Sequence, residues 1–120
     1  MPPADLVVQI FGTKKNSDTR KALRFFAERR VKTHFVDLAE RGAALGELRR
    51  FTQKFGVEKL VDRESKRFAE LGLRQAIYGE EKWLSILIDE PFILTQPLVR
   101  CQNKVSIGVN ETEWKAWITG

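Results

Sequence analysis

The sequence predicts one α/β domain with a mixed four-stranded sheet, in the order β-α-β, a helical middle and β-β-α. Three observations carry that prediction. A short apolar, β-branched run near the start is followed by a helical pattern and a second strand pattern; residues 42–90 keep apolar residues at helical spacing; and two short strand-like runs with an amphipathic helix close the chain.

Leu6 to Phe11 (Leu-Val-Val-Gln-Ile-Phe) is too short for a helix and ends at Gly12, so it reads as a buried first strand. Thr13 to Thr19 is a polar turn rich in helix-capping residues, behind which Ala22, Leu23, Phe25, Phe26 and Ala27 recur at helical spacing. The first helix is expected to begin near Asn16 or Ser17 and to hold Arg29 and Arg30 in its last turn, where cations favour the negative end of the dipole. Thr33, Phe35 and Asp37 alternate with His34, Val36 and Leu38, the period of a second strand. A strand-helix-strand unit of this kind takes a right-handed crossover and parallel strands.

The middle, from about residue 42 to 90, shows no strand-like run. Leu45, Leu48, Phe51 and Phe55 form one helical stripe stopped by Gly56; Ser65 can cap a segment carrying Phe68 and Leu71; Trp83, Leu84, Leu87 and Ile88 form another stripe stopped by Pro91. Leu98-Val-Arg-Cys and Lys104-Val-Ser-Ile then flank Gln102-Asn103 as a hairpin, although Asn-Lys is a weaker turn signal than Asn-Gly. Asn110 and Glu113 stand at capping-box spacing before a last helix that presents Trp114, Trp117 and Ile118.

Composition bounds the function. A chain of 120 residues, 42% hydrophobic, can bury roughly two thirds of its surface without disulfide staples. One cysteine, Cys101, and one histidine, His34, are too few soft ligands for a structural zinc site, so no metal site is expected. No apolar run approaches the ~18 residues of a membrane span, and Met1-Pro-Pro-Ala-Asp lacks the charged and apolar regions of an export signal, so a cytoplasmic address with no membrane partner is expected. The 21 Lys+Arg against 16 Asp+Glu give a formal charge of +5, but basic pairs such as Lys14-Lys15, Arg29-Arg30 and Arg49-Arg50 are scattered among acids. That pattern is a solvated basic surface open to an acidic protein partner, and direct nucleic-acid binding is not expected. The pairs Glu80-Glu81 and Asp89-Glu90 bracket one helix and read as solvated surface.

Three separated motifs in matching order, spanning about Val7 to Ile118, give a family resemblance. Ile10-Phe-Gly-Thr-Lys-Lys-Asn-Ser-Asp-Thr-Arg-Lys-Ala resembles the first strand, active loop and helix start of the ArsC/Spx family, the glutaredoxin-coupled arsenate reductases and Spx regulators. Leu60 to Leu73 resembles that family's segment ending in a Leu-Gly pair, and Pro91-Phe-Ile-Leu-Thr-Gln-Pro-Leu-Val resembles its His-Pro-x-Leu-Ile-x-Arg-Pro-(Ile/Val). The resemblance implies a thioredoxin-like fold with a helical insertion at about 42–90, in a single domain over 1–120.

The resemblance also implies where chemistry would sit. Arsenate-reducing members place a cysteine thiolate at the start of the first helix, and here that position is Asn16; the second cysteine of an Spx-type pair falls at Thr19. Neither side chain can enter thiol exchange. The arginine before the loop proline is Gln96, the insertion arginine aligns near Asp62 beside Arg63, and a third falls near Lys104. Asp18, in the first turn, competes for the helix end that an anion would use. No catalytic residue is expected. Candidate ligand-binding residues are Lys14, Lys15, Asn16, Ser17, Thr19 and Arg20 with Gln96 and Pro97. For Asn16 and Ser17, helix capping and a vestigial anion pocket both stay open. The resemblance implies a cis bond at Gln96-Pro97, whose backbone could pair with an extended peptide or a glutathione-like ligand.

Three further residues read as structural. Cys101 lies four residues beyond Pro97, ~13 Å along a strand, and has no resolving partner. His34 is expected to be structural filler, and Trp114 and Trp117 to be core, with room for one indole to stay partly exposed. Taken with the resemblance, these residues imply an ArsC/Spx-family protein without the redox cysteine, acting as a binding or regulatory module. Its expected partners are RNA polymerase, by Spx-like analogy, and a small anion or glutathione; no cofactor is expected other than glutathione. The alternative is a weak arsenate reductase-like or glutathione-dependent oxidoreductase using Cys101 or an external thiol.

Overall fold

The computed structural model describes residues 6–119. Met1 to Asp5, on which the expectation about an export signal rests, lie outside the described residues. The described residues form two compact units, one of residues 6–37 with 96–119 and one of residues 38–95.

The first unit holds the sheet. Strands β1 (Val7–Gly12), β2 (Lys32–Asp37), β3 (Leu98–Cys101) and β4 (Lys104–Ile107) lie in the order β2-β1-β3-β4. β1 runs parallel to β2, as a strand-helix-strand unit predicts, while β1–β3 and β3–β4 are antiparallel. Helices α1 (Ser17–Glu28) and α5 (Glu111–Thr119) belong to the same unit. Val8, Ile10, Val99 and Cys101 point to one face of the sheet and join Ala22, Phe25, Phe26, Trp114, Trp117 and Ile118 in one buried cluster. The rings of Phe25, Phe26 and Trp114 meet at centroid distances of 5.0 to 5.3 Å, inside the range of favourable tilted and edge-on pairs. The Trp114 indole N–H donates to Ser106 Oγ on β4 at 2.8 Å, which fixes α5 to the sheet by a satisfied buried polar contact.

Helix α1 starts where its cap predicts but stops earlier than expected. Asn16 is the N-cap, its side-chain oxygen accepting from Thr19 N–H at 2.8 Å. Arg29 and Arg30 are not in the last turn. The helix ends at Glu28, Arg30 takes a left-handed φ of 58°, and Arg30 N–H and Val31 N–H return to the carbonyls of Ala27 (3.1 Å) and Phe26 (3.0 Å). That pair of bonds is the Schellman motif, with arginine at the position glycine usually fills, so the sequence carried no stop signal there. Arg29 still serves the helix end: its Nη1 donates to Phe25 O at 3.1 Å and its guanidinium lies 3.7 Å from the Phe25 ring centre.

The hairpin closes in two residues as predicted, with the positive φ (57°) on Gln102, the first loop residue, and not on Asn103. The capping box of α5 is only half formed. Asn110 Oδ1 accepts from Glu113 N–H at 3.2 Å, but the Glu113 carboxylate turns forward to accept from Trp117 Nε1 at 3.2 Å. Both Trp114 and Trp117 are buried, so neither leaves an indole for a binding platform.

The second unit contains α2 (Leu45–Phe55), α3 (Lys66–Glu70), α4 (Glu80–Asp89) and two single 3₁₀ turns, Val57–Leu60 and Pro91–Ile93. Leu48, Phe51, Leu60, Phe68, Trp83, Leu84, Leu87, Ile93 and Leu94 are buried. The α2 stripe is narrower than its spacing suggests: Leu45 is exposed and Phe55 only half-buried. Ser65 caps α3 by accepting from Phe68 N–H at 3.1 Å, and Glu47 reaches back to Ala44 N–H at 2.8 Å to begin α2. The unit is not wholly helical. An isolated antiparallel bridge joins Val61 to Leu94, with Asp62 N–H donating to Ile93 O and Thr95 N–H to Leu60 O, both at 2.8 Å. Arg67 clamps Glu90 through two bonds of 2.9 Å in the fork geometry that arginine offers a carboxylate. No described helix is long and apolar enough to cross a membrane.

Candidate functional site

The end of β1, the loop behind it, the start of α1 and the entry to β3 meet at one place in the first unit. Phe11 pairs with Leu98, which sets Gly12 and Thr13 beside Gln96 and Pro97. The Gln96–Pro97 peptide bond is cis, and Pro97 O accepts from Gly108 N–H at 2.8 Å.

Three donors converge on a single acceptor there. Gln96 Oε1 accepts from Thr13 N–H at 2.7 Å, from Thr13 Oγ1 at 3.0 Å and from Thr19 Oγ1 at 3.2 Å. Thr19 is wholly buried and Thr13 half-buried, so these donors would be costly to leave unpaired. Gly12 is required by the same packing. A Cβ on it would stand 2.7 Å from Thr19 Cγ2 and 3.0 Å from Thr19 Cβ, closer than carbon atoms tolerate.

The expected site residues divide into two groups. Asn16, Thr19 and Gln96 come together with Pro97, joined by two bonds: Asn16 Oδ1 takes Thr19 N–H, and Thr19 Oγ1 gives its proton to Gln96. Lys14, Lys15 and Ser17 are exposed and make no part of that network. Arg20 is exposed too, its Nη1 donating to Lys14 O at 2.8 Å across the loop. Thr13 and Gly12 belong to this network although the candidate residues did not include them. Their only signal was placement, a glycine ending a buried strand just before a turn.

The remaining candidates have occupations elsewhere. Cys101 is buried at the hairpin end of β3, opposite Lys104, whereas Pro97 stands before the other end of that strand. Burial pushes the Cys101 thiol above its ordinary pKa, against a smaller opposing pull from Lys104. A thiol so placed holds little thiolate at neutral pH. In the insertion, Arg63 pairs with Glu58 at 2.8 Å and lies 5.6 Å from the ring centres of Phe68 and Trp83, while Asp62 Oδ1 accepts from Glu64 N–H. His34, expected to be structural filler, is exposed on β2, its Nδ1 3.5 Å from Gln9 Nε2. Asp18 does lie in the first turn of α1, 3.8 Å from Lys21 Nζ.

The model of the ArsC family matches residues 11–117, from the end of β1 into α5. The chain belongs to the ArsC family. Its fold is that of solved structures in this group. A structure of a protein called YffB superposes with a TM-score of 0.84 at 20% identity, covering 92% of this chain and 98% of that one. An arsenate reductase from Vibrio cholerae superposes with a TM-score of 0.74 at 19% identity, covering 85% and 89%. An uncharacterized protein of Haemophilus influenzae is 27% identical over 112 residues, 92% of this chain and 97% of that one. The thioredoxin-like α/β architecture of this ArsC-family chain thus agrees with the motif order read from its sequence.

Proposed function

We propose that this ArsC-family protein is a binding or regulatory module that does no thiol chemistry. The observation that carries the reading is the convergence of three donors on Gln96 Oε1. A loop that holds an oxyanion must present unpaired donors to it. In this chain the carboxamide oxygen of Gln96 already accepts three of the donors there, and Asn16 spends its own oxygen on the helix cap. Asn16 stands where the family resemblance calls for the nucleophile, and Cys101 is buried with a raised pKa. No residue at the loop can attack arsenic or carry a mixed disulfide.

The reading leaves the Gln96–Pro97 segment and the basic exterior as surfaces for an acidic or extended partner, a protein or a glutathione-like peptide. The Spx-like branch of the resemblance favours RNA polymerase as the partner to test first. The rival reading, reduction of arsenate, takes its support from neighbours that are named arsenate reductases. One assay separates them: arsenate reduction with glutathione and glutaredoxin. The purified chain is expected to show no turnover above the protein-free blank, and C101S to behave identically. Turnover that vanishes in C101S would overturn the proposal. Failure of purified RNA polymerase to bind the chain in a pull-down would remove that partner.

A further inference from the structure

We propose that the face of the sheet turned away from α1 and α5 carries a second site, built from Gln9, His34 and Arg100, for a small molecule bearing a phosphate or carboxylate group. Strand alternation defines this face. Opposite the buried Val8, Ile10, Val99 and Cys101 it displays Val7, Gln9 and Phe11 from β1, Lys32, His34 and Val36 from β2, Leu98 and Arg100 from β3, and Val105 and Ile107 from β4. Its rows differ sharply. Phe11 lies in register with Val36 and with Leu98, an apolar and buried row; one step along, Gln9 lies in register with His34 and with Arg100.

That polar row lines an open pocket of about 280 Å³, walled also by Val7 and Gln102. The volume is near the lower end of small-ligand sites. Its donors are held by the protein itself. Arg100 Nε donates to Gln102 O at 2.9 Å, which orients the guanidinium and leaves its two terminal nitrogens without a partner among the described residues. Gln9 Nε2 stands 3.5 Å from His34 Nδ1, and the ring's other nitrogen, Nε2, can carry a proton and donate it. Lys32 adds a cation two residues before His34 on the same face, and no Asp or Glu stands on this face among the described strand residues. Three donor side chains from three adjacent strands, with cations and no acid, complement an oxyanion. The planar fork of arginine matches phosphate and carboxylate oxygens alike. None of these residues belongs to the Thr13–Thr19 loop, so the site stands or falls independently of the proposed function.

The test is an amide and side-chain NMR titration of the full chain with inorganic phosphate and, separately, with acetate. Saturating shifts confined to Val7, Gln9, His34, Arg100 and Gln102 are expected, with a dissociation constant of roughly 10 mM or below for at least one anion. The anion that saturates first identifies the preferred group. R100Q is expected to weaken that binding at least tenfold while keeping a folded spectrum, and R100K to weaken it less, since charge survives but the fork does not. Shifts that stay linear with both anions, or that persist unchanged in R100Q, would overturn the proposal. If R100Q proves unfolded, Q9A and H34A provide the same comparison, and unaltered binding in both would overturn it equally.

Discussion

Replacing Gln96 with leucine keeps the approximate volume of the side chain and removes the acceptor at the centre of the loop. Three bonds are lost, from Thr13 N–H, Thr13 Oγ1 and Thr19 Oγ1. At a net value of about 1 kcal/mol each, their sum is about 3 kcal/mol. Two facts reduce it: Thr13 is only half-buried, so water can reach its donors, and a hydroxyl can rotate to seek another acceptor. Thr19, wholly buried, has no such access to water. An expected loss of about 2 kcal/mol follows, or a fall in Tm of about 8 °C for a domain of this size. Gln96→Glu retains an oxygen facing the same three donors and strengthens each bond by its charge, so its stability at pH 7 should lie within about 0.5 kcal/mol of the parent or above it. The assay is urea unfolding followed by far-UV circular dichroism and by tryptophan fluorescence, to which Trp114 and Trp117 contribute from the same unit. A loss below about 0.5 kcal/mol for the leucine variant, or an equal loss for both variants, would refute the account of the loop as closed around Gln96.

Gly12→Ala is expected to cost about 2 kcal/mol, because the new methyl meets Thr19; combined with Thr19→Ala it should cost clearly less than the two single changes added, as a double-mutant cycle would show. Arg30→Gly should stabilise the protein by about 1 kcal/mol in thermal unfolding, since it relieves a left-handed φ of 58° at the Schellman position. Cys101 should react with a disulfide reagent at pH 8 far more slowly than free cysteine, with full reactivity only in denaturant; rapid labelling of the native protein would contradict its burial and raised pKa. Hydrogen bonds from Arg67 hold the Glu90 carboxyl below its ordinary value of 4.5. A depressed carboxyl contributes stability that is present above its unfolded pKa and fades as pH falls through the folded one. Arg67→Gln should therefore raise the Glu90 titration midpoint measured by NMR and flatten the acid limb of the stability profile below pH 4.5.

The elements were legible because each announced itself locally. The β-branched run of β1, the alternation of β2 and the two-residue hairpin fell within one residue of where the pattern put them, and Asn16 and Ser65 capped the helices they were expected to cap. Misreadings arose where a local signal was missing or was outweighed. Arg30 ends α1 without glycine, because the Schellman bonds offset the cost of its left-handed backbone. Glu113 had the spacing of a capping box but took the nearby indole N–H of Trp117 instead. The Val61–Leu94 bridge joins residues 33 positions apart, beyond any local pattern.

By itself the sequence determined the order of strands and helices and the family, since both are written in residue type and spacing. Only the tertiary structure decided what became of the loop. The bonds that join Gln96 to Thr13 and Thr19 span 83 and 77 residues, and no periodicity reports a contact between side chains so far apart. It also decided that His34 and Arg100 flank Gln9, because strand register is set by the pairing of whole strands and a slip of one residue in any of the three would send that strand's side chain to the opposite face.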